Sequence, residues 1–202
     1  MSILDSPVTS KEIAKTIAES YQETLRALLG SPSFGPEGKK ALELLEQGIT
    51  LAEIKGITRE ELDAYFDRGC DCMLSGQLDK AEDIMTKLLL LDSYENRYVY
   101  ALGGIHQIQH KYEKAAKAYL AFIALDANNP DGYMRLGECL FAVQEYENAK
   151  AVFEIARLFA QEGKGSPETL HAAEKMLSTL DEHVGQEESI EDTDGNSEED
   201  VS

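Results

Sequence analysis

His106 and His110 stand four residues apart, the spacing at which two imidazoles on one helical face can share a metal ion. A zinc protease needs a glutamate directly after the first histidine, and Gln107 is there instead. Cys70 and Cys72 are the other reactive candidates. A thiolate is the form that attacks or ligates, yet only Arg68 is near enough in sequence to lower a thiol pKa, and no second pair lies at ligand spacing. No phosphate loop, nucleophile elbow or carboxylate pair with a defensible site is present. The sequence therefore predicts no catalytic residue, no metal and no cofactor. What remains is the chemistry of contact, carried by aromatic, methionine and charged side chains that return at a fixed interval.

That interval is 34 residues. Gly69, Gly103 and Gly137 share one register; Ala81, Ala115 and Ala149 share a second, and Asp92 and Asp126 a third. A small residue in one helix and an alanine in the next, at this period, is the tetratricopeptide (TPR) pattern of stacked helix-turn-helix units. The expected fold is all-α: a three-repeat TPR solenoid (62–161, divided as 62–95, 96–129 and 130–161) with N-terminal helices and a C-terminal capping helix. The helix pairs should run Arg59 to Leu74 and Leu78 to Leu90, Glu95 to Gln109 and Tyr112 to Leu125, then Asp131 to Val143 and Tyr146 to Ala160. Glycine inside a helix costs about 1 kcal/mol relative to alanine, so the three glycines imply close approach of the paired helix.

The flanks read as accessories. Residues 1–38 hold a capping box at Thr9 to Glu12 and an amphipathic stripe of Ile13, Ile17, Tyr21, Leu25, Leu28 and Leu29. That stripe has no repeat partner, so it is expected to pack on the solenoid, on another subunit as a dimerisation face, or on a client. Residues 39–61 should form lead-in helices: a short one marked by Leu42, Leu44, Leu45 and Ile49, then capping boxes at Thr50 to Glu53 and Thr58 to Glu61. Ile57 and Leu62 fit a hydrophobic staple. Ser166 with Pro167 starts a capping helix within 162–185, its stripe being Leu170, Ala173, Leu177, Leu180 and Val184. Residues 186–202 have the acidic composition of a disordered tail.

A formal charge of -19 over 202 residues disfavours nucleic acid and anionic membrane alike, since both need clustered Lys and Arg. No signal peptide and no run of 18 apolar residues is found, and an odd count of three cysteines fits a reducing compartment, so the chain reads as cytosolic.

In a TPR unit the first helix of each pair lines the concave side, with positions 2, 5, 9, 12 and 13 facing the groove. That register selects Asp63, Phe66, Cys70, Met73 and Leu74 from the first repeat. It selects Arg97, Tyr100, Gly104, Gln107 and Ile108 from the second, and Asp131, Met134, Glu138, Phe141 and Ala142 from the third. The groove should be apolar in its middle, with Phe66, Met73, Tyr100, Met134 and Phe141 as walls. It lacks the lysine and asparagine of carboxylate-clamp TPR domains, whose places hold Phe66 and Cys70. An extended apolar peptide suits it better than a charged tail.

The run Gly48-Ile49-Thr50-Leu51 through Gly56-Ile57, then Leu62, Tyr65, Gly69 and Ser75-Gly76, resembles the lead-in and first repeat of the class II chaperones of bacterial type III secretion. Leu91 to Tyr98, followed by Leu102-Gly103, resembles that family's first repeat junction, and Glu138-Cys139-Leu140 its third-repeat helix. The resemblance implies a non-enzymatic, ATP-independent, cytoplasmic chaperone. Its groove would take a proline- and leucine-containing segment of a hydrophobic translocator protein and keep that protein soluble before export. The family's aromatic groove positions in the first repeat fall on Phe66, Cys70 and Met73, of which only Phe66 is aromatic. A homodimer through the N-terminal helix is also implied. The competing expectation is a general TPR adaptor for another cytosolic protein.

Overall fold

The computed structural model describes residues 47–194, with residues 36, 40, 43 and 44; side chains are described as far as residue 182. The N-terminal stripe from Ile13 to Leu29 and the end of the chain past Asp194 lie outside the described residues. Eight helices are described: α1 (Leu51–Lys55), α2 (Arg59–Leu74), α3 (Leu78–Leu91), α4 (Asn96–Ile108), α5 (Tyr112–Leu125), α6 (Pro130–Ala142), α7 (Tyr146–Gln161) and α8 (Thr169–Asp194). No strand occurs among the described residues. They fall into two compact units, one up to Asn128 and the other from Asn129.

In the first unit, local chemistry sets the approach to the repeats. Glu43 and Leu44 are helical, and Gly48 at φ 81° turns the chain before Ile49. Thr50 then caps α1: its hydroxyl oxygen accepts from the Glu53 amide at 3.2 Å, while Glu53 accepts from the Thr50 amide at 2.7 Å. Thr58 and Glu61 repeat the reciprocal arrangement at 3.2 and 2.9 Å to open α2. Between the two, Gly56 at φ 67° gives its amide back to α1, a left-handed end that glycine adopts without steric cost. Leu62 is buried, and Ile57 packs on the cluster that contains it.

Helices α2 with α3 and α4 with α5 then form antiparallel pairs, and α6 with α7 forms the equivalent pair of the second unit. The glycine ladder has the physical reason its position demands. A Cβ on Gly69 would lie 2.5 Å from Met85 Cε, one on Gly103 2.7 Å from Tyr119 Cε1, and one on Gly137 2.5 Å from Phe153 Cε1. Ala81, Ala115 and Ala149 are fully buried at the facing helices. What fills the space beside each glycine is thus a fourth register, Met85, Tyr119 and Phe153. Asp92 and Asp126 each follow the last turn of a second helix, and the Asp92 carboxylate accepts from the Tyr94 amide at 3.1 Å. The turn inside each pair is also periodic. Gly76, His110 and Gln144 all have positive φ, at 74°, 56° and 65°.

In the second unit, α8 covers the last pair. Ala173 and Leu180 are buried and Leu170 and Leu177 half-buried, so the expected apolar stripe packs as far as Leu180; the Val184 side chain lies outside the described residues. Lys150 of α7 donates to Asp181 at 2.6 Å. Two differences from the expected helix are plain. It begins at Thr169, because Ser166, Pro167 and Glu168 form the turn that caps it, with the Thr169 amide bonded to the Ser166 carbonyl at 3.1 Å. It also continues past Gly185 to Asp194; a single glycine weakens a helix without forcing a break.

Candidate functional site

The expected groove residues of the first unit sit on α2 and α4, which Asp63 and Arg97 tie together. Arg97 donates to Asp63 at 2.7 Å and to Glu95 at 3.0 Å. Its guanidinium lies 5.1 Å from the Phe66 ring centroid. Arg59 joins the same network, bonding Asp92 at 3.2 Å and also Glu95. Asp63 and Arg97 therefore partner each other. Both side chains are near half-exposed, so the pair is worth little in stability; what it does is hold the Arg97 guanidinium beside the Phe66 ring. That ring packs 5.6 Å from Tyr98, whose own ring is fully buried.

One turn further along, Tyr100 is braced by two rings, Tyr119 at 5.6 Å and Phe122 at 4.9 Å. The Tyr119 hydroxyl donates to Gln107 Oε1 at 2.9 Å, which sets the carboxamide's orientation. Cys70 and Met73 are half-buried against the core. Burial, helped by Asp67 and Asp71, pushes the Cys70 thiol pKa up, so the thiol stays protonated and apolar. Leu74 and Ile108, in equivalent positions of the two repeats, are exposed by 82% and 53%. Phe66, Cys70, Met73, Leu74, Tyr100, Gly104 and Ile108 thus give α2 and α4 a largely apolar face with ion pairs at its N-terminal end.

The third repeat is less open. Met134 is only 7% exposed, so the side chain expected to wall a groove is buried instead. Asp131, expected at the groove edge, turns to the cap: its Oδ1 accepts from the Ser166 amide at 3.3 Å and from the Thr169 hydroxyl. Glu138 accepts from Arg135 at 2.9 Å, and the Phe141 ring lies 5.4 Å from Tyr146. Burial pushes the neighbouring Cys139 thiol up to about 12.

The histidine pair does not converge. His106 is buried, and its Nδ1 has no hydrogen-bond partner among the described residues. His110 sits in the turn, with Nδ1 2.9 Å from the Tyr112 hydroxyl. No group of three or more metal-ligating side chains occurs among the described residues, and no described helix is long and apolar enough to cross a membrane.

Solved structures place this face in context. A type III secretion complex from Aeromonas hydrophila matches with a TM-score of 0.67 at 26% identity, over 71% of this chain and 95% of that one. PcrH, from Pseudomonas aeruginosa, solved with the chaperone-binding region of PopD, matches with a TM-score of 0.60 at 26% identity, over 63% of this chain and 96% of that one. The chain is a relative of the class II translocator chaperones of type III secretion. Among sequences, the chaperone protein SicA of Salmonella typhimurium is 24% identical over 113 residues, which is 56% of this chain and 68% of SicA. No family model matches the sequence. The translocator chaperones share the TPR-like all-helical fold described above.

Proposed function

We propose that this chain is a non-enzymatic, ATP-independent cytoplasmic chaperone that holds an extended apolar segment of a type III secretion translocator. The likeness to PcrH, solved with the chaperone-binding region of PopD, carries this reading. The apolar face of α2 and α4 is where the segment lies. Phe66 and Tyr100 are its anchors, because each ring is braced from behind and needs little ordering on binding. Cys70, Met73, Leu74, Gln107 and Ile108 supply adaptable contact around them; Asp63 and Arg97 stand at the N-terminal end of the face. Glu138 and Phe141, in the second unit, are candidate contacts of the third repeat taken by itself. The acidic surface keeps the loaded chaperone soluble. The N-terminal stripe of Ile13, Ile17, Tyr21, Leu25 and Leu28 serves a homodimer, and removing residues 1–30 should lower the particle mass in solution.

Co-expression with hydrophobic translocator proteins of type III secretion tests the reading. A translocator should stay soluble and co-purify with the wild type, and should be lost with a folded Phe66→Glu, Tyr100→Glu double variant. A translocator retained by that variant would refute the assignment of the face. A chain that solubilises no translocator, yet captures another cytosolic protein, would make it a general TPR adaptor.

A further inference from the structure

Gly103 and Gly104 are neighbours in α4, and the fold uses only one of them. Gly103 is closed in by the Tyr119 ring, whereas a Cβ on Gly104 would meet nothing nearer than the Tyr119 hydroxyl at 3.9 Å. That is ordinary van der Waals contact, and alanine would fit. Since a helix interior favours alanine over glycine, nothing inside the described fold accounts for Gly104.

Its surroundings do. Tyr100 lies one turn before Gly104 and Ile108 one turn after, so the three share a stripe on the helix surface. Tyr100 is held by two rings and Ile108 is more than half exposed. Between an aromatic and an aliphatic wall, the missing side chain leaves a notch. Its floor is the α4 backbone and the Tyr119 hydroxyl, and its edge is the Gln107 carboxamide that this hydroxyl orients. Apolar walls and a one-residue gap suit an aliphatic side chain better than a charged group or a wide ring.

We propose that Gly104 is a specificity-determining residue: the notch between Tyr100 and Ile108 seats one aliphatic side chain of the bound translocator segment. This rests on the reading of the α2 and α4 face as translocator-binding. The client's backbone then passes close to α4 at Gly104, and any side chain there competes with the client for the same volume.

The test titrates labelled peptides into the full chain and its Gly104→Ala and Gly104→Leu variants, with thermal melts alongside. The peptides are the chaperone-binding region of PopD, which PcrH binds, and overlapping segments of other type III translocators. Gly104→Ala should raise Tm by about 2–4 °C while weakening the best peptide. Gly104→Leu should weaken it roughly 10–100-fold, the equivalent of one buried aliphatic side chain. One aliphatic residue of the peptide, changed to alanine, should lower affinity for the wild type and hardly at all for Gly104→Leu. Equal affinity of wild type and Gly104→Leu overturns the proposal. So does a lower Tm for Gly104→Ala, which would make the glycine an internal packing requirement. Failure of every peptide to bind the wild type would instead remove the translocator reading, and the occupant with it.

Discussion

Gly103→Ala puts a methyl group where the Tyr119 ring already is: the new Cβ would lie 2.7 Å from Cε1, 2.9 Å from Cζ and 3.0 Å from Cδ1. The ring cannot simply turn aside, because Tyr100 packs against it and its hydroxyl is bonded to Gln107. Overpacking of this kind costs about 1–3 kcal/mol, and loosening the Tyr119 bond adds about 1 kcal/mol. Alanine returns about 1 kcal/mol of helix propensity. The net effect should be a loss of about 1–3 kcal/mol. Urea unfolding followed by far-UV circular dichroism measures it, with tyrosine emission as a second probe, since the chain has nine tyrosines and no tryptophan. Tyr119→Leu should relieve the clash, so that Gly103→Ala costs less in that background than in the wild type. Stabilisation by Gly103→Ala in the wild-type background would refute the claim that Tyr119 closes over this glycine.

Three further outcomes follow from the same geometry. His110 holds a left-handed φ of 56°, which costs a non-glycine residue about 1–2 kcal/mol, so His110→Gly should be neutral or stabilising while His110→Val destabilises; thermal melts that rank the two the other way would contradict this. Burial holds the His106 pKa below its ordinary 6.5, opposed by Glu82. The folded state therefore favours the neutral ring: its contribution is fully present above pH 6.5 and is lost as the pH falls through 6.5 towards the depressed folded value. Urea midpoints at pH 7 and pH 5 should diverge more for the wild type than for His106→Gln, and parallel behaviour would rule out a part for this ring. Asp131→Ala should cost about 2 kcal/mol and raise amide exchange in the first turn of α8, with Asp131→Asn milder because it keeps an acceptor for Ser166 and Thr169; unchanged exchange would deny Asp131 its capping role.

Much of the fold was legible because its signals are local or periodic. Thr50, Thr58 and their partner glutamates announce helix starts within four residues, and α2 and α5 span the residues expected of them. The glycine and alanine registers gave the pairing. The bulky register of Met85, Tyr119 and Phe153 returns at the same period and could have been found by asking what each glycine makes room for. The departures come from interactions distant in sequence. Asp131 leaves the groove for Ser166 and Thr169, which no local pattern announces. Asp63 and Arg97, each a groove position by register, neutralise each other across a full repeat. Met134 has the right register, but its burial depends on neighbours that a helical wheel does not display. Register alone puts Gly104 on the expected groove line, and only the empty space around its absent Cβ separates it from Gly103.

A translocator segment lying on the face of α2 and α4 would be within reach of its side chains along its whole length. Photo-crosslinking tests that placement most directly: a translocator peptide bearing a benzophenone at successive positions is irradiated with the full chain, and the adducts are mapped by mass spectrometry. Adducts concentrated at Phe66, Met73, Tyr100, Gly104 and Ile108, and suppressed by the unlabelled peptide, are the predicted result. Competable adducts that instead gather on α3, α5 or α7, leaving α2 and α4 unmarked, would contradict it.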